Sequence, residues 1–127
     1  MPALDDAAIA AVSDFAADMG IGQMLDVKGA FSFDFEEAGR LSILADDSGQ
    51  RILVSLTRRI ILTDLVGYGR VLRSAGRHAT RERLIHAGVT TTGQPVLAIA
   101  GPRTGFDRSR LETEFTILRE AFAAQGL

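Results

Sequence analysis

The chain contains no cysteine among its 127 residues and only two histidines. A disulfide framework and a thiolate zinc site are therefore excluded, and a reducing, intracellular address fits best. The N-terminus is acidic at Asp5 and Asp6 where a secretory signal would be basic, and no apolar run approaches the ~18 residues that a membrane-spanning helix needs. A soluble cytoplasmic protein without membrane contact is expected. Serine and threonine are plentiful, but no histidine and acid can be assigned to them, so no nucleophilic triad is proposed. The spacing of His78, Glu82 and His86 puts the three on one face only if the segment is helical, and residues 82–90 read as strand. No metal, no cofactor and no catalytic residue is expected; the chain reads as a binding module, not an enzyme.

What is present is an ordinary globular balance, 46% hydrophobic and 24% charged, in a length that suits one domain over residues 1–127. The net charge of -2 conceals a polar distribution. Residues 1–47 hold ten acids against Lys28 and Arg40, whereas residues 51–110 hold eleven arginines against Asp64, Glu82 and Asp107. Two parts of about -8 and +8 are expected to pack together, within one subunit or across a dimer, and compensate each other.

The apolar pattern predicts an α+β fold with an antiparallel sheet, in the order helix, three strands, helix, two strands, helix. A first helix is expected over about Asp5 to Met19, with Ile9, Val12, Ala16 and Met19 as its apolar stripe, Phe15 widening it, and Gly20 and Gly22 ending it. Phe31, Phe33 and Phe35 alternate with polar residues; Leu41, Ile43 and Ala45 and then Ile52, Val54 and Leu56 repeat that period of two. The turns Glu37-Ala38-Gly39 and Asp46-Asp47-Ser48-Gly49 make these strands a meander with one face given to the helices. The opposite face carries Ser32, Asp34, Ser42, Ser55 and Thr57, and only Leu44 and Leu53 break its polarity.

Residues 61–74 read as a helix with Leu62, Leu65, Gly69 and Leu72 in one stripe, although Gly67 and Gly69 each cost it roughly 1 kcal/mol and a break at Gly67-Tyr68-Gly69 is the alternative. Residues 82–90 and 95–100 form a second hairpin around Thr91–Gln94. The run Val96-Leu97-Ala98-Ile99 suits a strand covered on both faces. Ser109 and Glu112 have the spacing of a capping box for a last helix whose Leu111, Phe115, Leu118 and Phe122 line one side.

Glycine motifs add no chemistry. Gly101-Pro-Arg-Thr-Gly105 lacks the Lys-Ser/Thr of a phosphate loop, and Gly67-Tyr-Gly69 lacks the third glycine of a dinucleotide fingerprint. The basic stretch Arg70–Arg83 could neutralise phosphates, yet Tyr68 is the one nearby aromatic for a base to stack on and the pI is about 5.6. Nucleic acid is not expected as a partner.

This order of elements resembles the class I type III secretion chaperones of bacteria, the Tir-chaperone family. The resemblance is carried by the opening helix ending at Gly20, the meander from Phe31-Ser-Phe-Asp-Phe35 through Arg51-Ile-Leu-Val-Ser-Leu56, the helix around Leu62–Leu72, the hairpin ending in Val96-Leu-Ala-Ile-Ala100, and Leu111–Phe122. It implies a cytoplasmic homodimer that binds the extended N-terminal segment of a secreted effector and keeps it competent for export. The arginine-rich middle departs from the family's acidic character and keeps a second reading open: a small-ligand-binding or regulatory homodimer of the same fold, with an anionic ligand in a pocket lined by Arg70, Arg73 or Arg77.

Two surfaces follow from the pattern. Leu65, Gly69 and Leu72 are expected at the dimer interface, because so much apolar girth cannot be buried against one sheet face alone. Leu44 and Leu53, the two large apolar residues on the polar face of the meander, are expected to form part of a partner-binding patch.

Overall fold

The computed structural model describes residues 4–20, 25–27, 30–77 and 83–127. Helix α1 runs Asp6–Asp18, followed by strands β1 (Leu25–Val27), β2 (Ala30–Phe35), β3 (Gly39–Ala45) and β4 (Arg51–Thr57). Helix α2 (Leu65–Arg73) leads into β5 (Gly76–Arg77), β6 (Leu84–Val89), β7 (Pro95–Pro102) and helix α3 (Arg108–Ala124). The strands form one antiparallel sheet in the order β1-β2-β3-β4-β7-β6-β5. The expected α+β order is therefore present, with two short edge strands, β1 and β5, added to it. Neither is long enough to show a hydrophobic period, so pairing alone defines them.

One face of the sheet is the core. Across the strands, Phe33, Leu41, Leu56 and Leu97 make one continuous row and Phe31, Ile43, Val54, Ile99 and Ile85 the next. Helices α1 and α3 cover these rows. Phe15 meets the edges of Phe33 and Phe115 at centroid distances of 6.0 and 5.9 Å, while Phe35 stacks on Phe115 at 4.9 Å. Truncating aromatics buried this way typically costs 3–5 kcal/mol, so these three elements stand or fall together.

Several local expectations are corrected. The buried face of α1 is Ala8, Ala11, Val12, Phe15 and Ala16, with Ile9 and Met19 outside. Three alanines flank Val12 and Phe15 on that face, where the apolar stripe expected Ile9 and Met19. The second helix starts at Leu65, not Ile61, because Asp64 caps it by accepting from the Gly67 backbone N–H at 2.8 Å; it is continuous through Gly67 and Gly69. The cap of α3 is Asp107, accepting from the Arg110 N–H at 2.8 Å, in place of the Ser109 capping box. Strand β7 is covered on one face only, since Pro95, Leu97 and Ile99 are buried while Val96, Ala98 and Ala100 are half-exposed. Gly22, His78, Arg81 and Glu82 lie outside the described residues.

Charge compensation between the two parts of the chain occurs within this single subunit. Arg103 lies 3.5 Å from Asp5 and Arg59 3.5 Å from Asp34, and Arg108 pairs with Asp18. All are exposed or nearly so and each is worth at most about 1 kcal/mol.

Candidate partner-binding surfaces

The face of the sheet away from α1 and α3 is graded from one end to the other. At one end Asp34, Arg40, Thr57, Val96 and Gly88 form a row. Arg40 donates to both Asp34 carboxylate oxygens, at 2.8 and 3.1 Å, and Arg59 joins them. The Arg40 hydrogen bond holds the Asp34 carboxyl below its usual range. With Thr90 and Gln94 these residues line a polar groove of about 500 Å³.

The next row, Ser32, Ser42, Ser55 and Ala98, is small-sided and ends at His86, and the Ser32 and Ser42 hydroxyls share a hydrogen bond of 3.1 Å. Beyond it Leu44, Leu53 and Ala100 are paired directly. The alternation of side chains along β6 puts Leu84 on the same face. Leu44 and Leu53 are half-buried and Leu84 is exposed. The two leucines singled out in the sequence are thus cross-strand neighbours within an apolar strip.

That strip runs into a groove of about 470 Å³ at the end of the sheet, lined by residues of β4, β6, β7, α3 and the loop before it, among them Arg51, Arg83, Leu84, Ala100, Arg110 and Glu114. Glu114 is only 1% exposed, with Arg110 Nε at 3.3 Å and Arg83 Nε at 3.9 Å from the same carboxylate oxygen. Burial pushes the Glu114 carboxyl up, and the two arginines pull it back in part. Arg110 is held on every side: it donates to the Pro102 carbonyl, its guanidinium carbon sits 5.0 Å from the centre of the Phe106 ring, and its Nη2 end packs against Gly101. A β-carbon at Gly101 would fall 2.2 Å from Arg110 Nη2, so glycine there is what lets the guanidinium approach the strand. Sequence reasoning missed this cluster; the spacing of four between Arg110 and Glu114 is its one local trace.

Helix α2 presents the third surface. Only Val71 is buried; Leu65 is 87% and Leu72 69% exposed, with Val66 and Ile61 exposed beside them. Its C-terminal end is tied down by the Ser74 hydroxyl, 3.5 Å from the Ala121 carbonyl, and by Arg73 donating to Gln125 at 3.3 Å. Gly69 is half-buried, and a methyl there would meet only the Arg73 guanidinium, at 3.5 Å. The expectation that this helix is buried on more than one side is not met within a single subunit. Arg70 and Arg73 line none of the grooves described, and the side chain of Arg77 lies outside the described residues.

Among the described residues no group of His, Asp and Glu is arranged to hold a metal ion, and no helix is long and apolar enough to cross a membrane.

No protein-family model matches the chain, and no curated protein matches it in sequence. Solved structures do. A chain from the HopA1–SchA chaperone–effector complex superposes with a TM-score of 0.65 at 14% identity, over 91% of this chain and 89% of that one. The fold is one found in type III secretion chaperone–effector complexes. A chain from the Yersinia pestis secretion chaperone SycH in complex with a stable fragment of YscM2 gives a TM-score of 0.60 at 12% identity, over 89% of this chain and 94% of that one. A chain from the heterodimeric ExoU–SpcU complex of the Pseudomonas aeruginosa type III secretion system gives 0.59 at 13% identity, over 90% and 93%. At these identities the likeness is one of fold, and it extends over nearly the whole of each chain.

Proposed function

We propose that this chain is a class I type III secretion chaperone, a cytoplasmic homodimer that holds the N-terminal segment of an effector in extended form until export. The observation that carries the reading is the fold shared with chaperone–effector complexes over about nine-tenths of both chains. Exposed apolar surface on α2 and on the open sheet face supports it, since such surface gives affinity for polypeptide without reactive groups. Co-expression with effectors encoded nearby, followed by size exclusion, tests the role: a retained effector supports it, and failure to retain any of them counts against it.

The subunit contact is assigned to Leu65, Gly69 and Leu72. In the dimer Leu72→Asp buries an unpaired carboxylate at a cost of several kcal/mol, while in the lone subunit the position is exposed and tolerates the change. Sedimentation velocity is expected to show a folded monomer for Leu72→Asp and Leu65→Asp. A dimer of unchanged strength takes this helix out of the interface.

Leu44 and Leu53 are assigned to the effector patch. Both are half-buried on a face without a covering helix, so Leu44→Ser with Leu53→Ser is expected to lower folding stability by only about 1–2 kcal/mol. Affinity for a retained effector is expected to fall at least tenfold in calorimetric titration. Unchanged affinity removes the strip from the binding surface, and a collapse of the melting temperature makes these leucines part of the core.

A further inference from the structure

We infer that the Arg51–Arg83–Arg110 groove receives a carboxylate side chain of the bound polypeptide, so that the recognised segment carries an aspartate or glutamate close to its apolar anchors. The inference rests on the reading of the chain as a polypeptide-binding chaperone and names what that reading leaves open, the polar half of the recognised sequence.

Three guanidinium groups line the groove against the single carboxylate of Glu114. Their charges therefore exceed the local countercharge by two. Arg51, exposed at the start of β4, has no ion pair among the described residues, and the part-exposed Arg83 has Glu114 alone, at 3.9 Å. A carboxylate offers two acceptor oxygens to the planar fork of an arginine; Arg110 is already committed to Glu114, the Pro102 carbonyl and its close approach to Gly101, so Arg51 and Arg83 are the guanidinium groups that meet an incoming carboxylate.

Position decides the source of the carboxylate. Leu84 and Ala100 belong both to the groove wall and to the apolar strip of Leu44 and Leu53. Arg51 precedes Leu53 by one same-face step along β4, about 7 Å, and Leu44 is one strand spacing farther, about 5 Å. An extended segment that seats large apolar side chains on Leu44 and Leu53 therefore reaches the arginines within about two to four residues at 3.3 Å each. A small free anion gains nothing from the leucines, whereas one polypeptide uses both features.

The test is selection of a random twelve-residue peptide library displayed on phage by the full-length protein, followed by anisotropy titration of a selected peptide. The wild type is expected to enrich peptides with a pair of large apolar residues and an acid within about four positions of them. Changing that acid to its amide is expected to weaken binding about tenfold, and Arg51→Gln to weaken binding of the acidic peptide equally, with little further loss when both changes are combined. Arg83→Gln serves as the second variant, and melting curves verify that both remain folded. Enrichment of apolar residues without acids overturns the inference and leaves the chaperone reading standing. No apolar enrichment overturns both. An acid preference that survives Arg51→Gln and Arg83→Gln places the carboxylate elsewhere. Saturable binding of inorganic phosphate that Arg51→Gln abolishes, with no acid preference among peptides, makes the groove a site for a free anion and overturns the inference as well.

Discussion

Gly39→Ala is expected to unfold the protein at ordinary temperature, or to cost more than about 4 kcal/mol if it folds at all. Gly39 opens β3 at a backbone φ of +106°, a region that residues with a β-carbon rarely enter. That conformational strain alone costs about 1–3 kcal/mol. The larger part is steric, because an added β-carbon would lie 2.1 Å from the carbonyl oxygen of Thr57 and 3.2 Å from the α-carbon of Arg58. These are main-chain atoms at the end of β4, and they cannot rotate aside as a side chain would. Relieving the clash requires β4 to move away from β3 where Thr57 also pairs with Val96 and the Arg58 N–H donates to the Pro95 carbonyl at 3.1 Å. Gly20→Ala is the control: its φ is +68° but a β-carbon there meets nothing within 4 Å, so only the conformational cost remains. Urea denaturation of the two variants separates the effects, and equal losses would refute the steric account.

Arg110→Met is expected to cost about 3–5 kcal/mol at neutral pH, because it leaves the Glu114 carboxylate buried without its nearest cation. Removing both charges in Arg110→Met with Glu114→Leu is expected to restore much of the loss, since the desolvation of the pair disappears with it. The pH dependence carries the sign. Burial already raises the folded-state pKa of Glu114 above its ordinary 4.5, so the folded state holds this proton more tightly than the unfolded one. Stability tied to the neutral carboxyl is therefore fully present below about 4.5 and is lost as pH rises through the raised value. Without Arg110 that value rises further, and the Arg110→Met deficit is expected to widen from pH 5 to pH 8 in denaturant titrations. A deficit independent of pH, or one that the second substitution deepens, would mean that Arg110 acts through packing on Phe106 alone.

The sheet was legible because its signal is local: a period of two places Phe33, Leu41, Ile43, Val54 and Leu56 on one side whatever surrounds them, and the polar remainder exposes Leu44 and Leu53 as exceptions. Helix faces were less legible. In α1 periodicity gave weight to Ile9 and Met19, but Ala8 and Ala11 lie inside, where small side chains let the helix approach its neighbours closely. Asp107 and Ser109 are both good capping residues, and local spacing does not say which one meets the end of β7. The arginine groove had no sequence signature because its members come from β4, the residue before β6, and α3, and meet only through the pairing of β4 and β6 with β7. Charge counting found the arginines as an excess in the middle of the chain, whereas their concentration beside a buried glutamate is a product of the fold. Resemblance in the order of elements reached farther than any motif, and it reached the fold.

The adjacency of β4 and β7 also bears on how the chain assembles. The pairs within β2, β3 and β4 close through short turns, but joining Thr57 to Val96 requires the whole segment containing α2, β5 and β6 to loop out. The entropy of closing such a loop grows only with the logarithm of its length, about 0.6 kcal/mol for each doubling. Insertions or deletions between β4 and β6 therefore change the equilibrium little, so long as Val71 and the Ser74 tether keep their places. The excursion that displays Leu65, Val66 and Leu72 is thus the part of the chain where length can drift at low thermodynamic cost, and divergence among proteins of this architecture is tolerated there before it is tolerated in the meander.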